Sequence, residues 1–222
     1  MTVADNLAEM KQIIQHACKN CERNPDDITI IGVTKYVSIE RAREALKAGV
    51  KNLGENRREG FLEKYEAIGS DAAWHFIGSL QSRKVKDIIN EVDYIHSLDR
   101  KSLAKEIQKR ADKTVPCFVQ VNVSGEDSKH GLDPAEVEDF IHSLKGYDKI
   151  KIVGLMTMAP HIDKEEELRA VFRKLRALRD IIRDQKLDHA PCEWLSMGMS
   201  NDYKLAIEEG ATHIRVGSSL VG

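Results

Sequence analysis

The feature that most constrains this chain is a repeated alternation of short β-branched or apolar runs with longer amphipathic stretches. Strand-like runs lie near Ile28–Lys35, Asn52–Glu55, Trp74–Gly78, Tyr94–Ser97, Val115–Val123, Ile150–Met158, Glu193–Ser196 and His213–Val216. Between them, helical periodicity predicts helices near Ser38–Ala48, Arg57–Ala67, Gln81–Asn90, Arg100–Asp112, Pro134–Leu144, Lys164–Gln185 and Asn201–Glu209. One further amphipathic helix, Val3 to Arg23, comes first and is ended by Pro25. Eight strands alternating with helices imply a parallel sheet with right-handed crossovers. The expected fold is therefore α/β, a single (β/α)8 TIM barrel over residues 1–222 with an extra N-terminal helix. A doubly wound open sheet would want a glycine-rich phosphate turn after its first strand, and Val33-Thr34-Lys35-Tyr36-Val37 is not one.

Local signals agree with these boundaries. Ser38 is a plain N-cap with Glu40 in the first turn, and Asp133-Pro134 places a cap before proline at the first helical position. Leu168, Val171, Phe172, Leu175, Leu178, Ile181 and Ile182 form one core-facing stripe. Ala48-Gly49 and Glu209-Gly210 are expected helix stops.

Composition removes several function classes. With 41% hydrophobic and 32% charged residues the chain reads as an ordinary soluble protein, and a net charge of −2 gives no reason to expect nucleic acid or an anionic membrane. No apolar run approaches the ~20 residues that span a bilayer. No secretory signal is visible at Met1-Thr2-Val3-Ala4-Asp5, so the cytoplasm is the expected compartment. Four cysteines are too few for a disulfide scaffold. Cys18 and Cys21 make a C-x-x-C, but both fall on the apolar stripe of the first helix and no second pair completes a zinc site, so they are expected to fill core.

The chemistry is expected at the C-terminal ends of the strands. Lys35 ends the first strand-like run, an unusual place for a lysine in a strand buried on both faces. Desolvation at a barrel mouth would favour a neutral amine able to form a covalent imine. After the seventh strand comes Ser196-Met197-Gly198-Met199-Ser200, and after the eighth Gly217-Ser218-Ser219, both where such barrels hold phosphate. Alternation puts His213, Arg215 and Gly217 on the inner face. Arg215 then needs either a ligand or an inward carboxylate such as Glu55. A lysine, a phosphate cup and an inward arginine together suggest pyridoxal phosphate bound through the lysine.

These residues resemble the pyridoxal-phosphate-binding homeostasis proteins, single-domain barrels similar to the barrel half of alanine racemase. The resemblance covers essentially the whole chain. Its most specific piece is Trp74-His75-Phe76-Ile77-Gly78-Ser79-Leu80-Gln81-Ser82-Arg83-Lys84, joined by Val33-Thr34-Lys35, Gly54-Glu55-Asn56, Gly154-Leu155-Met156-Thr157-Met158, Ser196–Ser200 and Arg215-Val216-Gly217. Arg83 stands where many members carry asparagine. The resemblance implies Lys35 as the internal-aldimine lysine, Ser196, Ser200, Gly217 and Ser218 as phosphate contacts, and Asn56 and Met156 as ring-lining residues. It also implies Arg215 near the pyridine nitrogen. Ser128-Lys129-His130-Gly131 resembles the family too, and reads as a mobile loop with Lys129 as a secondary aldehyde contact.

Three functions fit such a site. A carrier would buffer pyridoxal 5'-phosphate and pass it to apo-enzymes in vitamin B6 homeostasis. A racemase or decarboxylase would use the same cofactor, and a sugar-phosphate-binding barrel would have no visible absorbance. A racemase needs acid and base groups on both faces of its intermediate. In alanine racemase-like enzymes a second domain and a dimer partner deliver one of them, and this chain offers only Tyr36 beside the lysine. The expectation is a monomeric binding protein rather than an enzyme.

Overall fold

A computed structural model describes residues 2–126, 130–160 and 164–222. Its strands are β1 (Thr29–Val33), β2 (Asn52–Glu55), β3 (Ala73–Phe76), β4 (Tyr94–Leu98), β5 (Val115–Gln120), β6 (Ile150–Met156), β7 (Trp194–Ser196) and β8 (His213–Val216). Among the described residues they close in sequence order into one parallel barrel, with β1 paired to β8 through Thr29–His213 and Ile31–Arg215. That closure places the first strand's exit beside the last strand's, as the expected fold requires.

The connecting helices are α2 (Ile39–Ala48), α3 (Arg58–Ile68), α4 (Lys101–Arg110), α5 (Val137–His142), α6 (Glu165–Asp184) and α7 (Tyr203–Glu208), with α8 (Ser218–Val221) after β8. The N-terminal helix α1 (Val3–Asn20) opens on a capping box between Thr2 and Asp5. It lies against α2, α7 and α8. Val3, Leu7, Met10, Ile14, Ala17 and Cys18 are its buried stripe. Cys21 is half-buried just past the helix end, and both thiols are free.

The expected helix at Gln81–Asn90 is instead a 3-10 segment, Ser82–Asp87. Lys84 N–H donates to Gln81 O and Ile88 N–H to Val85 O, a tighter winding that aligns Val85 with Ile88 toward the core. Ion pairs from Arg58 to Asp87 (2.6 Å) and from Lys84 to Glu59 (3.2 Å) tie it to α3. The last helix before β8 starts at Tyr203, not Asn201. Met199 O accepts from the N–H groups of both Asp202 and Tyr203, which makes a turn first. Strands one, three, five and six stop two or three residues earlier than expected, where the chain peels from the sheet to form the rim.

Alternation along each strand divides the core in two. Outward residues such as Trp74, Ile95 and Ile214 meet the helices, where Trp74 packs edge-on to Phe61. Inward residues fill the barrel with an unusually polar, aromatic set. Phe118, Val153 and Met156 form a small cluster there, with Tyr94 and Trp194 against it, and His75, His96 and His213 pack beside them.

Candidate functional site

A cavity of about 730 Å³ opens at the C-terminal ends of the strands. Lys35, Asn56, Ser200, Arg215, Gly217 and Ser218 all line it, although they come from four separate stretches of the chain. Met156 and Ser196 do not. Both are fully buried beneath the rim, paired in register across β6 and β7. The rim residue that reaches the cavity from β6 is Met158, two positions on and on the same side by strand alternation.

Lys35 leaves β1 through a tight turn, since Val37 N–H donates to Thr34 O. Ser38 then caps α2 by accepting from Arg41 N–H. The lysine is exposed rather than desolvated, with its Nζ 4.9 Å from the centre of the Tyr36 ring. The expected burial is therefore not a property of the protein chain by itself. What is buried is the residue before it. Thr34 Oγ1 donates to Glu55 Oε1 at 2.6 Å, and the same oxygen takes Lys64 Nζ at 3.0 Å. Burial of this trio fixes the end of β1 and so the point from which Lys35 projects.

That pairing also settles the alternative partner for Arg215. Glu55 is engaged by Lys64 and Thr34, and Arg215 turns elsewhere. Its Nη1 donates to Ser196 Oγ at 2.6 Å and its Nη2 to Thr157 O at 2.8 Å. Burial pushes the guanidinium pKa down to about 10, opposed by the Asp202 carboxylate. A nearly inaccessible cation on the wall of an open cavity offers charge and directed donors to an anionic or electron-rich guest.

The phosphate-cup expectation rests on two turns. Met199 N–H donates to Asp202 Oδ1 at 2.5 Å, and Gly217 N–H donates to Ser200 Oγ at 3.3 Å, which cross-links the β7 and β8 exits. With its oxygen accepting from Gly217, the Ser200 hydroxyl keeps a proton to offer a ligand. Gly198 makes the first turn possible. Its φ is 95°, and a Cβ there would stand 2.7 Å from Ala206 Cβ. Arg41 holds the far side by donating to Val221 O and Gly222 O, both at 3.0 Å.

On the β3 side, Gly78 lies so close to Asn56 that a Cβ would meet its carbonyl oxygen at 2.1 Å. This explains part of the Trp74–Lys84 motif. Trp74 packs outward, His75 points into the barrel, Ile77 reaches the rim, and Gly78 lets the Asn56 backbone pass. Lys129 lies outside the described residues.

Met158, Met199 and Gln120 also line the mouth beside Tyr36; sequence reasoning did not mark these three as site residues, and their strand-exit positions were the available signal. The interior histidines His75 and His96 share a face with Arg215 only once the barrel closes. Burial holds both well below the usual imidazole range and pushes His213 down to about 4, with the Arg215 charge adding to it.

The chain has similar relatives along its whole length. Residues 5–222 match the family described as alanine racemase, N-terminal domain. A pyridoxal phosphate homeostasis protein of Aquifex aeolicus is 42% identical, over all of this chain and 98% of that protein. Among solved structures, an unknown protein from Bifidobacterium adolescentis has a TM-score of 0.92 at 33% identity, over 98% of this chain and 94% of that one. PipY of Synechococcus elongatus, solved with PLP bound, has a TM-score of 0.83 at 30% identity, over 99% of this chain and 100% of its own. With its rim chemistry on such a barrel and full-length likeness of this extent, the chain belongs to the alanine racemase N-terminal domain family and, within it, to the pyridoxal phosphate homeostasis proteins.

Proposed function

We propose that the cavity binds pyridoxal 5'-phosphate and that the protein buffers this reactive aldehyde in the cytoplasm, delivering it to apo-enzymes. One observation carries the reading: a strand-end lysine and a buried arginine share one cavity with a serine- and glycine-built turn pair. This donor set suits each part of the cofactor. The Ser200 hydroxyl and the backbone at Gly217 and Ser218 suit its phosphate. Lys35 Nζ suits its aldehyde, joining the carbon as an imine with loss of water. Asn56 lines the ring. Arg215 faces the pyridine nitrogen and, as a permanent cation, disfavours its protonation. Ser196 acts by holding Arg215, and Met156 by supporting the floor beneath the rim. The bound cofactor would supply an electron sink, which an unprotonated nitrogen weakens.

Storage is favoured over turnover by the exposure of Lys35 and Tyr36, the latter 76% accessible. A mouth this wet neither sharpens proton transfer nor retains a reactive intermediate, whereas exchange with solvent is easy. The test is an absorbance titration of the full chain with pyridoxal phosphate. The wild type should develop the visible band of a cofactor joined to an amine, and Lys35→Ala should not. An unchanged band in Lys35→Ala would overturn the lysine assignment. Exchange of the α-proton of free alanine in deuterated water faster than free cofactor achieves would overturn the carrier reading.

A further inference from the structure

Beneath Arg215 a row of polar side chains crosses the barrel interior. Ser196 Oγ accepts from Arg215 Nη1 and lies 2.8 Å from His96 Nδ1. His96 Nε2 lies 2.8 Å from His75 Nδ1, and His75 Nε2 lies 3.0 Å from Asn52 Oδ1. Asn52 and His75 in turn line a second cavity, of about 460 Å³, at the N-terminal ends of the strands. Both imidazoles are almost wholly enclosed, at 1% and 0% exposure for His75 and His96.

The direction of the hydrogen bonds follows from donor chemistry. A guanidinium only donates, so Ser196 Oγ is an acceptor toward Arg215. Its own proton then needs an acceptor, and His96 Nδ1 is the one at hand. A neutral His96 that accepts at Nδ1 must carry its proton at Nε2 and give it to His75 Nδ1. The same rule at His75 puts a proton on Nε2, facing Asn52 Oδ1. Every donor and acceptor in the row is then satisfied, which a buried polar network requires. Reversing the row would leave the Ser196 hydroxyl proton without a partner among these contacts. Enclosure keeps both rings neutral, which each link of the row requires.

We propose that His96 and His75 are positioning residues for Arg215, holding its guanidinium on the cavity wall through a one-way row of hydrogen bonds from Arg215 to Asn52. The consequence for ligand binding rests on the proposed cofactor reading, but the row itself does not. Its two arms are therefore separable.

The first arm is nitrogen-15 NMR of the histidine rings in the cofactor-free chain. His75 and His96 should both be neutral Nε2–H tautomers near neutral pH, and the wild type should show a slowly exchanging Arg215 Nη–H signal. An Nδ1–H tautomer or an imidazolium at His96 would overturn the row. The second arm compares His96→Leu with His96→Asn. Leucine removes the acceptor for Ser196, whereas the asparagine amide oxygen can stand close to where Nδ1 was. His96→Leu should lose the slow Arg215 signal and bind pyridoxal phosphate about five- to tenfold more weakly, as expected for one lost hydrogen bond. His96→Asn should recover most of both. Equal affinity, spectrum and Arg215 signal in His96→Leu and wild type would overturn the positioning role. If His96→Leu does not fold, His96→Asn with Ser196→Ala carries the comparison, and only the serine change should release Arg215. Failure of the wild type to bind pyridoxal phosphate would overturn the cofactor reading and leave the NMR result standing.

Discussion

Glu55 and Lys64 bury opposite charges beside Thr34, and the arrangement shows how a single residue can set the site without touching it. Their Nζ–Oε1 separation is 3.0 Å, and the side chains of Lys64 and Glu55 are 6% and 1% accessible. Removing one partner of such a pair leaves the other charge stranded, a change that costs about 3–5 kcal/mol. Lys64→Met should therefore lower the unfolding free energy by about that amount in urea melts. Adding Glu55→Gln to it should recover most of the loss, since a neutral amide can still accept from Thr34 Oγ1. Lys64 was not legible as a buried residue. In Arg58–Ile68 it reads as an ordinary solvated helix lysine, and only the position of α3 over the end of β2 turns it inward. Arg215 was legible as inward because strand alternation decides that locally, but its partners were not, since Ser196 and Thr157 reach it across β7 and from the end of β6.

At the scale of elements, the two turns that end β7 and β8 are the parts on which ligand geometry depends. Each is short and donor-rich, and among the bonds that hold them are those from Met199 N–H to Asp202 and from Gly217 N–H to Ser200. Gly198→Ala places a Cβ 2.7 Å from Ala206 Cβ and 3.0 Å from Tyr203 Cα, at a φ of 95°. Strain of this kind costs about 1–3 kcal/mol, and here it falls on the start of α7. The variant should melt earlier and also bind pyridoxal phosphate more weakly, because displacing α7 moves Ser200. A control such as Gly49→Ala has a similar φ of 102° but open space around it. It should lose stability without losing affinity, which a paired melt and titration would show. Either serine turn alone reads as a helix cap; these were legible because both fall after the seventh and eighth strands, where such a barrel holds phosphate. The Ser82–Asp87 segment was less legible, since hydrophobic spacing over a few residues does not separate 3-10 from α winding.

Among the described residues three histidines are enclosed, and the stability of the whole molecule should record them. The His213 pKa is pushed from 6.5 down to about 4, chiefly by burial, and His75 and His96, which the sequence did not mark as inward as it did His213, are lowered in the same direction. The unfolded chain therefore binds protons below about pH 6.5 that the folded chain refuses. Stability is at its full value above that point and falls with acidification toward pH 4. His213 alone should remove on the order of 2 kcal/mol by about pH 5, with the two other rings adding to it. Urea melts at about pH 7 and about pH 5 would measure the loss, and His213→Asn should shrink it by the His213 share, about 2 kcal/mol. His213 was legible as inward from strand alternation, but its meeting with His75 and His96 was hidden for a global reason. Which inward residues meet across the axis depends on strand stagger around the closed barrel, and no single strand encodes it.

The central claim is that Lys35 takes the cofactor at the barrel mouth. The most direct measurement is borohydride reduction of the protein loaded with pyridoxal phosphate, followed by peptide mass mapping. The cofactor's mass should appear on the peptide containing Lys35 and, at near-stoichiometric loading, on that peptide alone. Principal labelling of Lys129 or another lysine, or no stable label despite tight binding, would contradict it.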